Sequence, residues 1–331
     1  MPRIGDLAEK ELLQRLHPFC PPDIIGDDAA ILNSTGDRAV VVTTDTLVDG
    51  IHFSDKTTSP EDVGWRAIAA NLSDLAAMGA TPTGLTIALG LNLETPVEWV
   101  DRLYRGMQEC CQQYHTALVG GDVTRSPVNT LSITALGTVD RHRAILRKNA
   151  RPGDAIVVTG VHGASRAGLE LLLHPETGEN LHAGDRNSLI RAHQRPQPRL
   201  DVIPILQELT KNAPRIAGMD SSDGLADAVL QTCQLSKVGA KVDRVALIVP
   251  PGMLETTASE TVLEWILFGG EDFELVLSLP PEIAVQLVDR LGENAAIVGN
   301  ITQETDIVLI DSTKPDVCQP LNGDRAFKHF G

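Results

Sequence analysis

Short acidic segments that also contain Gly, Ser or Thr recur at or beside the ends of apolar runs along this chain. Carboxylates on a solvated surface need no such companions, whereas a site that binds hard cations and polyphosphate needs oxygen ligands on tight turns. The pattern therefore predicts a fold that gathers several turns into one anionic site. The segments are Gly26–Asp28, Thr43–Asp45, Asn71–Asp74, Gly120–Asp122, Asp220–Gly224 and Gly269–Asp272.

Predicted strands and helices alternate along the sequence. Ser59 followed by Pro60 is typical of a helix start, and apolar residues keep helical spacing until Gly79 ends the helix. Thr95–Glu98 has the form of a capping box that opens a second helix, to about Tyr114. The alternation indicates a mixed α/β fold. Runs rich in Val, Ile, Leu or Thr predict strands at 39–43, 85–91, 130–139, 155–159, 274–279, 295–299 and 306–310.

The length of 331 residues allows two domains, and Arg151–Asp154 punctuates the middle of the chain. A strand, a glycine turn and a helix follow in order over Ala155–Leu173. We therefore expect one domain over 1–150 and a second over 151–331. His174–Asn187 has few apolar residues, which predicts a loop or an insertion.

The charge of the chain excludes some classes of partner. A formal net charge of −16 argues against nucleic acid and anionic membranes, because either would call for a basic face. No apolar run approaches the roughly 18 residues that span a bilayer, and the first residues are charged throughout. We expect a cytoplasmic protein whose small anionic substrate is met by bound metal or by local arginines.

Asp74 gives the sharpest physical argument for bound cations. It lies in the last turn of the predicted helix, where the helix dipole disfavours negative charge by about 0.3–1 kcal/mol. Asp74 alone could point to water, and the other acidic segments could each be a simple turn. Together, Asp28, Asp45, Asp74 and Asp122 favour a shared cation, because carboxylates gathered without one would repel and be driven toward protonation. Mg²⁺ suits such oxygen ligands.

Phosphate contacts have weaker signals. Asp220–Gly224 precedes an apolar helical segment, so its free N–H groups and hydroxyls could bind phosphate at the start of a helix. The alternative is an ordinary helix start with Ser222 or Asp223 as the N-cap. Basic residues cluster after Val139, either as a solvated face or with Arg147 clamping a phosphate. His52 fits a half-buried histidine or a substrate contact equally well. The sequence has no G-x-x-x-x-G-K-[ST], G-x-G-x-x-G or kinase motif, so metals would do most of the phosphate binding.

Taken together, the acidic segments and two further motifs resemble the thiamine-monophosphate kinases. The resemblance runs nearly end to end, and its longest block, Asn71–Ala80, is specific. The wider superfamily, which includes aminoimidazole ribonucleotide synthetase, selenophosphate synthetase and a hydrogenase maturation protein, shares the acidic turns. Gly50–Phe53 and Phe327–Phe330 favour the kinase, and the reactive cysteines that the last two relatives need are missing from the expected places.

The resemblance implies ATP-dependent phosphorylation of thiamine monophosphate to thiamine diphosphate with release of ADP, assisted by several Mg²⁺ ions. It implies a two-domain PurM-like architecture, with an N-terminal sheet that pairs across a homodimer and binds ATP nearby, and a C-terminal α/β sandwich. By position, the implied metal ligands are Asp28, Thr43, Thr44, Asp45, Asp74, Asp122, Asp220 and Asp223, of which Asp45, Asp74, Asp122 and Asp220 are the catalytic set. The implied ATP contacts are Tyr104, Gly121, Asp122, Arg147 and Ser222, and the implied substrate contacts are His52, Glu271 and Phe327.

Direct in-line transfer is expected, because a phosphate dianion is already a nucleophile and needs no general base. Two other functions stay open. One is another ATP-dependent PurM-like synthetase, of the aminoimidazole ribonucleotide synthetase type, acting on an amide-bearing nucleotide precursor. The other is a non-enzymatic acidic cation-binding protein, which would bind metal without nucleotide; the lack of an EF-hand loop counts against it.

Overall fold

The computed structural model describes residues 26–32, 37–211, 215–314 and 316–323, together with positions 11, 14, 16 and 18. Strands in this part of the chain form two sheets, and helices pack against both. The prediction of a mixed α/β fold is therefore confirmed. Phe327, the third predicted substrate contact, lies outside the described residues.

The first sheet has five strands in the order β1-β2-β5-β3-β4. All neighbours are antiparallel except β3 and β4, which are parallel. Two helices, α1 (Pro60–Ala77) and α2 (Val97–Gln113), share one hydrophobic core with this sheet. The strands are β1 (Ala30–Leu32), β2 (Arg38–Val48), β3 (Thr81–Leu91), β4 (Leu118–Arg125) and β5 (Thr130–Asp140).

Helix α1 is almost entirely buried and lies at the centre of the molecule. Its start follows the predicted chemistry, since the Ser59 hydroxyl accepts a hydrogen bond from the backbone N–H of Asp62 at 3.3 Å and Pro60 occupies the first turn. Gly79, at a φ of 70°, lets the chain leave the helix in the left-handed region. At Gly106, a Cβ would lie 1.8 Å from the carbonyl oxygen of Glu61, so only glycine permits this approach of α2 to α1. Polar residues on α1 consequently point into a packed interior.

The second sheet has seven strands in the order β12-β11-β8-β10-β6-β9-β7. The strands are β6 (Ala155–Val158), β7 (Ala217–Asp220), β8 (Gly239–Asp243), β9 (Leu275–Leu279), β10 (Ala296–Thr302), β11 (Ile307–Ile310) and β12 (Cys318–Pro320). Apolar clusters lie on both of its faces, one with α3, α6 and α8 and one with α5 and α9. The helices are α3 (Ala164–Leu173), α4 (Ala183–Gln194), α5 (Val202–Leu209), α6 (Leu225–Ser236), α7 (Met253–Thr256), α8 (Ser259–Phe268) and α9 (Pro281–Leu291).

All seven predicted strands exist, and the strands of the two sheets lie on either side of residue 150. The division into domains at that residue stays a prediction. In the part of the chain that the structure describes, no helix combines the length and the hydropathy needed to cross a bilayer.

Several local predictions are wrong. Thr43–Asp45 does not end a strand, because β2 continues to Val48, and Gly120–Asp122 lies inside β4. Helix α2 has Pro96 at its N-cap, since the Thr95 hydroxyl donates instead to Asn129 Oδ1 at 2.7 Å. The segment His174–Asn187 is not all loop, because α4 begins within it.

Candidate active site

Three aspartates from distant parts of the sequence meet beside the end of α1. Asp74 lies in the last turn of α1, Asp220 is the final residue of β7, and Asp28 precedes β1. One carboxylate oxygen from each lies within 4.8 Å of the others. We call Asp28, Asp74 and Asp220 the carboxylate cluster. The convergence that the sequence predicts is found for Asp28 and Asp74, and Asp220 joins them.

Hydrogen bonds fix the elements around the carboxylate cluster. Thr43 Oγ1 donates to Asp74 Oδ2 at 2.5 Å, which ties β2 to α1. Ser73 Oγ donates to Asp220 Oδ2 at 2.6 Å, which ties α1 to β7 of the second sheet. Asn71 Oδ1 accepts a hydrogen bond from the backbone N–H of Asp45 at 3.0 Å. The cluster is therefore built on regular elements whose relative positions are set by buried polar contacts.

The electrostatics of the cluster favour a bound cation. Burial raises the pKa of Asp28 to about 7, although Arg147 partly opposes this. Burial also raises the pKa of Asp74 well above its ordinary value, and the nearby Asp45, Asp220 and Asp28 add to the rise. The pKa of Asp45 is raised to about 6 by burial and by Asp220. Because all donors are hard oxygens and their negative charges are mutually destabilising, the residues fit Mg²⁺.

Arg147 lies against Asp28, one member of the cluster. Its guanidinium donates to both oxygens of Asp28, at 3.0 and 3.3 Å, and to Gln231 Oε1 at 2.6 Å. Its backbone N–H donates to Asp27 Oδ1 at 2.8 Å. The predicted phosphate-clamping arginine thus stands beside the predicted metal ligands rather than on a solvated face.

The turn after β7 leads from the cluster toward a cavity. The backbone N–H and the hydroxyl of Ser222 both donate to Asp220 Oδ1, at 3.3 and 2.9 Å. Helix α6 has Gly224 at its N-cap, without a side-chain hydrogen bond, so the alternative that Ser222 or Asp223 caps this helix is wrong. Ser222 and Asp223 instead line the cavity.

The cavity has a volume of about 910 Å³ and lies next to the carboxylate cluster, because it is lined by Asp45, whose pKa burial and the nearby Asp220 raise, and by Ser222, which donates to Asp220. His52 and Glu271, the two described residues among the predicted substrate contacts, also line it. His52 Nδ1 accepts a hydrogen bond from the backbone N–H of Val48 at 2.9 Å, which holds the ring on its loop. Glu271 forms an ion pair with Arg66 at 2.7 Å. Four aromatic side chains, those of Phe53, Trp265, Phe268 and Phe273, line the same cavity.

Other predicted residues lie away from the cluster within this chain. Strand register places Asp122 opposite Ala88, then Ser132, then Thr46, three strand spacings or about 14 Å across the sheet. Since neighbouring residues of a strand point to opposite faces, Asp122 and Asp45 are on different faces. Gly121 lies on β4 beside Asp122, and Tyr104 is a partly exposed residue of α2. Thr44 also faces away from Asp74, and its hydroxyl donates to Ile133 O at 2.7 Å. The roles proposed for these residues stay predictions.

Sequence reasoning assigned no role to two residues that shape the site. Arg66 is 3% exposed and His193 is 4% exposed as side chains, and both line the cavity behind Glu271. The signal for Arg66 was available, because it is a charged residue inside the apolar run Val63–Ala70 of the predicted helix. His193 lies in α4, in a stretch too polar to suggest a buried position.

Comparisons with known proteins show which family the chain is similar to. Family models described as AIR synthase related protein, N-terminal and C-terminal domains, match residues 26–139 and 151–312. The thiamine-monophosphate kinase of Synechococcus elongatus is 48% identical over 99% of this chain and 98% of its own length. The thiamine-monophosphate kinase of Bacillus subtilis is 36% identical over 92% of this chain and 93% of its own length.

Solved structures show the same fold. A structure described as AaThiL complexed with AMPPCP and TMP has a TM-score of 0.85 and 30% identity, and the match covers 100% of this chain and 99% of that one. A hydrogenase maturation protein, HypE in complex with ATP, is 21% identical with a TM-score of 0.66 over 96% of this chain and 95% of that one, so it shares the fold alone. The chain therefore belongs to the AIR synthase-related family and, within it, to the thiamine-monophosphate kinases.

Proposed function

We propose that this protein transfers the γ-phosphoryl group of ATP to the phosphate of thiamine monophosphate, giving thiamine diphosphate and ADP. One observation carries the proposal: the carboxylate cluster adjoins a large cavity that has an acidic residue and aromatic walls. The relatives named for this activity and the structure that holds AMPPCP and TMP support it. The proposal includes a cytoplasmic location, a homodimer and several Mg²⁺ ions.

The metal-binding residues of the proposal are Asp28, Thr43, Thr44, Asp45, Asp74, Asp220 and Asp223, together with Asp122, which lies apart from the cluster within one chain. Bound Mg²⁺ would supply charge neutralisation between two phosphoryl groups that otherwise repel. Asp74 and Asp220 are held by Thr43 and Ser73, so these carboxylates are oriented before any ligand arrives. Arg147, which binds Asp28, and Ser222, which binds Asp220, would contact the ATP phosphates.

The cavity would hold the acceptor. Glu271 presents a carboxylate that suits the positively charged thiazolium ring of thiamine monophosphate, and aromatic walls such as Trp265 suit its flat rings. His52, on the loop between Val48 and Phe53, lines the cavity, as does Asp45. With its phosphate toward Asp45, the substrate would meet the donor at the carboxylate cluster. No general base is required, because the attacking phosphate oxygen already carries charge.

A homodimer would explain why Asp122 lies apart from the cluster. Among the described strands, β4 lies at the edge of its sheet, and its Val119 and Val123 are 63% and 62% exposed. An exposed edge with apolar side chains invites pairing with another chain. The opposite edge, β1, begins two residues after Asp28. If β4 of one copy lies along β1 of another, its Asp122 and Gly121 approach the other copy's cluster, and the site is shared between subunits.

Subunit mixing tests this arrangement. Asp74→Asn and Asp122→Asn should each be inactive as homodimers. Denatured together and refolded, they should regain about a quarter of wild-type activity, because half of the dimers are mixed and each mixed dimer has one intact site. If both residues serve the same chain's site, mixing restores nothing, and the shared site is wrong.

The activity itself is tested by coupled ADP release with single acceptors. We expect ADP release with thiamine monophosphate and none with thiamine or a phosphoribosyl amidine. Release only with the amidine would instead support a ring-closing synthetase, and metal binding without ATP-analogue binding in calorimetry would support a cation-binding protein. A stable ³²P label on the protein after incubation with γ-labelled ATP would contradict direct transfer.

A further inference from the structure

Arg66 is a buried cation on α1 that reaches across to the turn containing Glu271. Its side chain is 3% exposed. Its Nη2 donates to Glu271 Oε1 at 2.7 Å, and its Nη1 donates to the backbone carbonyl of His193. One guanidinium therefore connects α1 of the first sheet's layer with two segments that pack on the second sheet.

The backbone around Glu271 is also constrained. Glu271 has a φ of 57°, in the left-handed region that residues with a Cβ rarely adopt. Its N–H donates to the carbonyl oxygen of Ser222 at 2.7 Å, and Gly270 precedes it at a φ of 67°. Backbone strain of this kind is kept where the surroundings enforce it, and such positions cluster at ligand sites. The turn thus aims the Glu271 side chain, which is still 37% exposed, at the cavity.

Glu271 is held ionised by Arg66, and one of its two carboxylate oxygens is available to a ligand. The partly buried position would by itself raise the pKa of Glu271, but the Arg66 charge lowers it below the ordinary value. Burial and Arg66 lower the pKa of His193 to about 3, so this ring is neutral at physiological pH. The second oxygen, Oε2, lies 3.9 Å from His193 Nδ1, which is too far for a hydrogen bond.

A purely structural role for Arg66 explains less. Among the described residues, its Nε is buried without a hydrogen-bond partner. A buried hydrogen-bond donor without a partner lowers stability. If Arg66 only stabilised the fold, we would expect all of its buried donors to be paired. The geometry around Arg66 instead serves the Glu271 carboxylate.

We propose that Arg66 is a positioning residue for substrate recognition: by binding Oε1 of Glu271, it presents Oε2 to the positively charged ring of the substrate. This inference rests on the proposed function. The Arg66–Glu271 pair, and not Glu271 alone, would select substrates with a positively charged ring.

The test compares Arg66→Lys and Arg66→Met with a matched control, Arg290→Met, which removes an exposed arginine from its 2.8 Å pair with Glu208. For Arg66→Met we expect KM for thiamine monophosphate to rise about 10-fold or more, because Arg66 no longer holds Glu271 with its Oε2 toward the substrate, and KM for ATP to stay within about twofold. Arg66→Lys keeps the charge but not both contacts, so its KM should lie between those of wild type and Arg66→Met. Arg290→Met should match wild type.

Competition by a neutral thiazole monophosphate gives a readout that a structural role would not change. The wild type should prefer thiamine monophosphate over this analogue, and Arg66→Met should lose about 10-fold of that preference. An unchanged preference in folded Arg66→Met, or in Arg66→Lys if the former does not fold, overturns the inference. Wild-type protein that is inactive on thiamine monophosphate would instead overturn the proposed function.

Discussion

The carboxylate cluster and the part of the cavity around Arg66 and Glu271, which we call the Glu271 pocket, are two acidic regions in which the carboxylate pKa values shift in opposite directions. In the cluster, Asp28, Asp74 and Asp220 approach within 4.8 Å, and burial raises the pKa of Asp28 to about 7 despite Arg147. In the pocket, Arg66 pairs with Glu271 at 2.7 Å and the pKa of Glu271 is lowered. In the cluster, Arg147 does not offset burial and the repulsion between carboxylates, whereas in the pocket Arg66 outweighs the effect of burial on Glu271.

The difference assigns different ligands to the two regions. Hard cations stabilise the cluster, because its carboxylates repel one another when ionised without a bound cation. Such cations also bind phosphates, so the cluster suits a phosphate-bearing ligand. A region whose carboxylate is held ionised and oriented needs no metal and can select an organic cation by charge and shape. The boundary between them, near Asp45, is where the two substrates of a kinase would meet.

The largest expected effect comes from Asp74→Asn, which removes one charge from the cluster and leaves the pocket intact. We expect kcat to fall by about 10²–10³-fold or more at saturating Mg²⁺, as for loss of a group that acts on the transition state. In EDTA at pH 8, the melting temperature should rise, because a buried like-charge repulsion is relieved.

Asp289→Asn, in the exposed face of α9, is the matched control and should leave both quantities unchanged. Wild-type turnover by Asp74→Asn at saturating Mg²⁺ would remove Asp74 from the site.

A smaller effect is expected from Glu271→Gln, which acts on the pocket alone. KM for thiamine monophosphate should rise about 10-fold, since a charge-assisted contact becomes a neutral one, while KM for ATP stays within about twofold. Steady-state kinetics with each substrate varied separately measure both constants. If KM for ATP rises equally, the two regions do not act on separate substrates.

The two regions should also give opposite pH trends in the stability of the metal-free protein. Asp28 has a raised folded-state pKa, so its contribution is complete below about 4 and is lost as pH rises through about 7. Glu271 has a lowered pKa, so its contribution to stability is present above its unfolded value of 4.5 and is lost as pH falls below it.

Thermal unfolding in EDTA from pH 4 to 8 should show the loss of stability with rising pH that the cluster predicts, and Asp74→Asn should weaken this dependence. Added Mg²⁺ should suppress the loss at high pH, and stability that rises toward pH 8 in EDTA would contradict this.

The smallest effect should come from Thr43→Ser, which keeps the hydroxyl that donates to Asp74 at 2.5 Å. We expect kcat within about twofold of wild type, whereas Thr43→Val, which leaves Asp74 Oδ2 without this donor, should lose about 10-fold. Equal activity of Thr43→Val and Thr43→Ser would show that the hydrogen bond does not orient the cluster.

Local chemistry was enough to predict the parts of the fold that carry strong signals. Ser59, Pro60 and Gly79 mark the bounds of α1 because capping and left-handed glycine are short-range effects. The predicted end of β2 is wrong because Thr44, Asp45 and Thr46 look like a turn after a Val run. Threonine has a high β propensity, and the partly exposed face of the sheet tolerates polar side chains, so β2 continues to Val48.

The site shows the same limit at longer range. The spacing of acidic segments, and the resemblance that they carry, pointed to Asp28, Asp74 and Asp220, and these meet in space. The position of Asp122 depends on strand order and register, which no local pattern encodes, and it lies on a different face and three strands away. The sequence predicts no role for Arg66, because helical periodicity indicates which residues are buried and does not indicate which residue a buried charge will pair with.

The central claim is that Asp28, Asp74 and Asp220 bind divalent cations that lie between the two phosphoryl groups. Crystals grown with Mn²⁺, AMPPCP and thiamine monophosphate test it most directly, since Mn²⁺ scatters anomalously and takes similar oxygen ligands. We expect anomalous peaks about 2.0–2.3 Å from oxygens of these three aspartates, with the phosphates of both ligands on the same ions. Both ligands bound with no peak at the three aspartates would contradict the account.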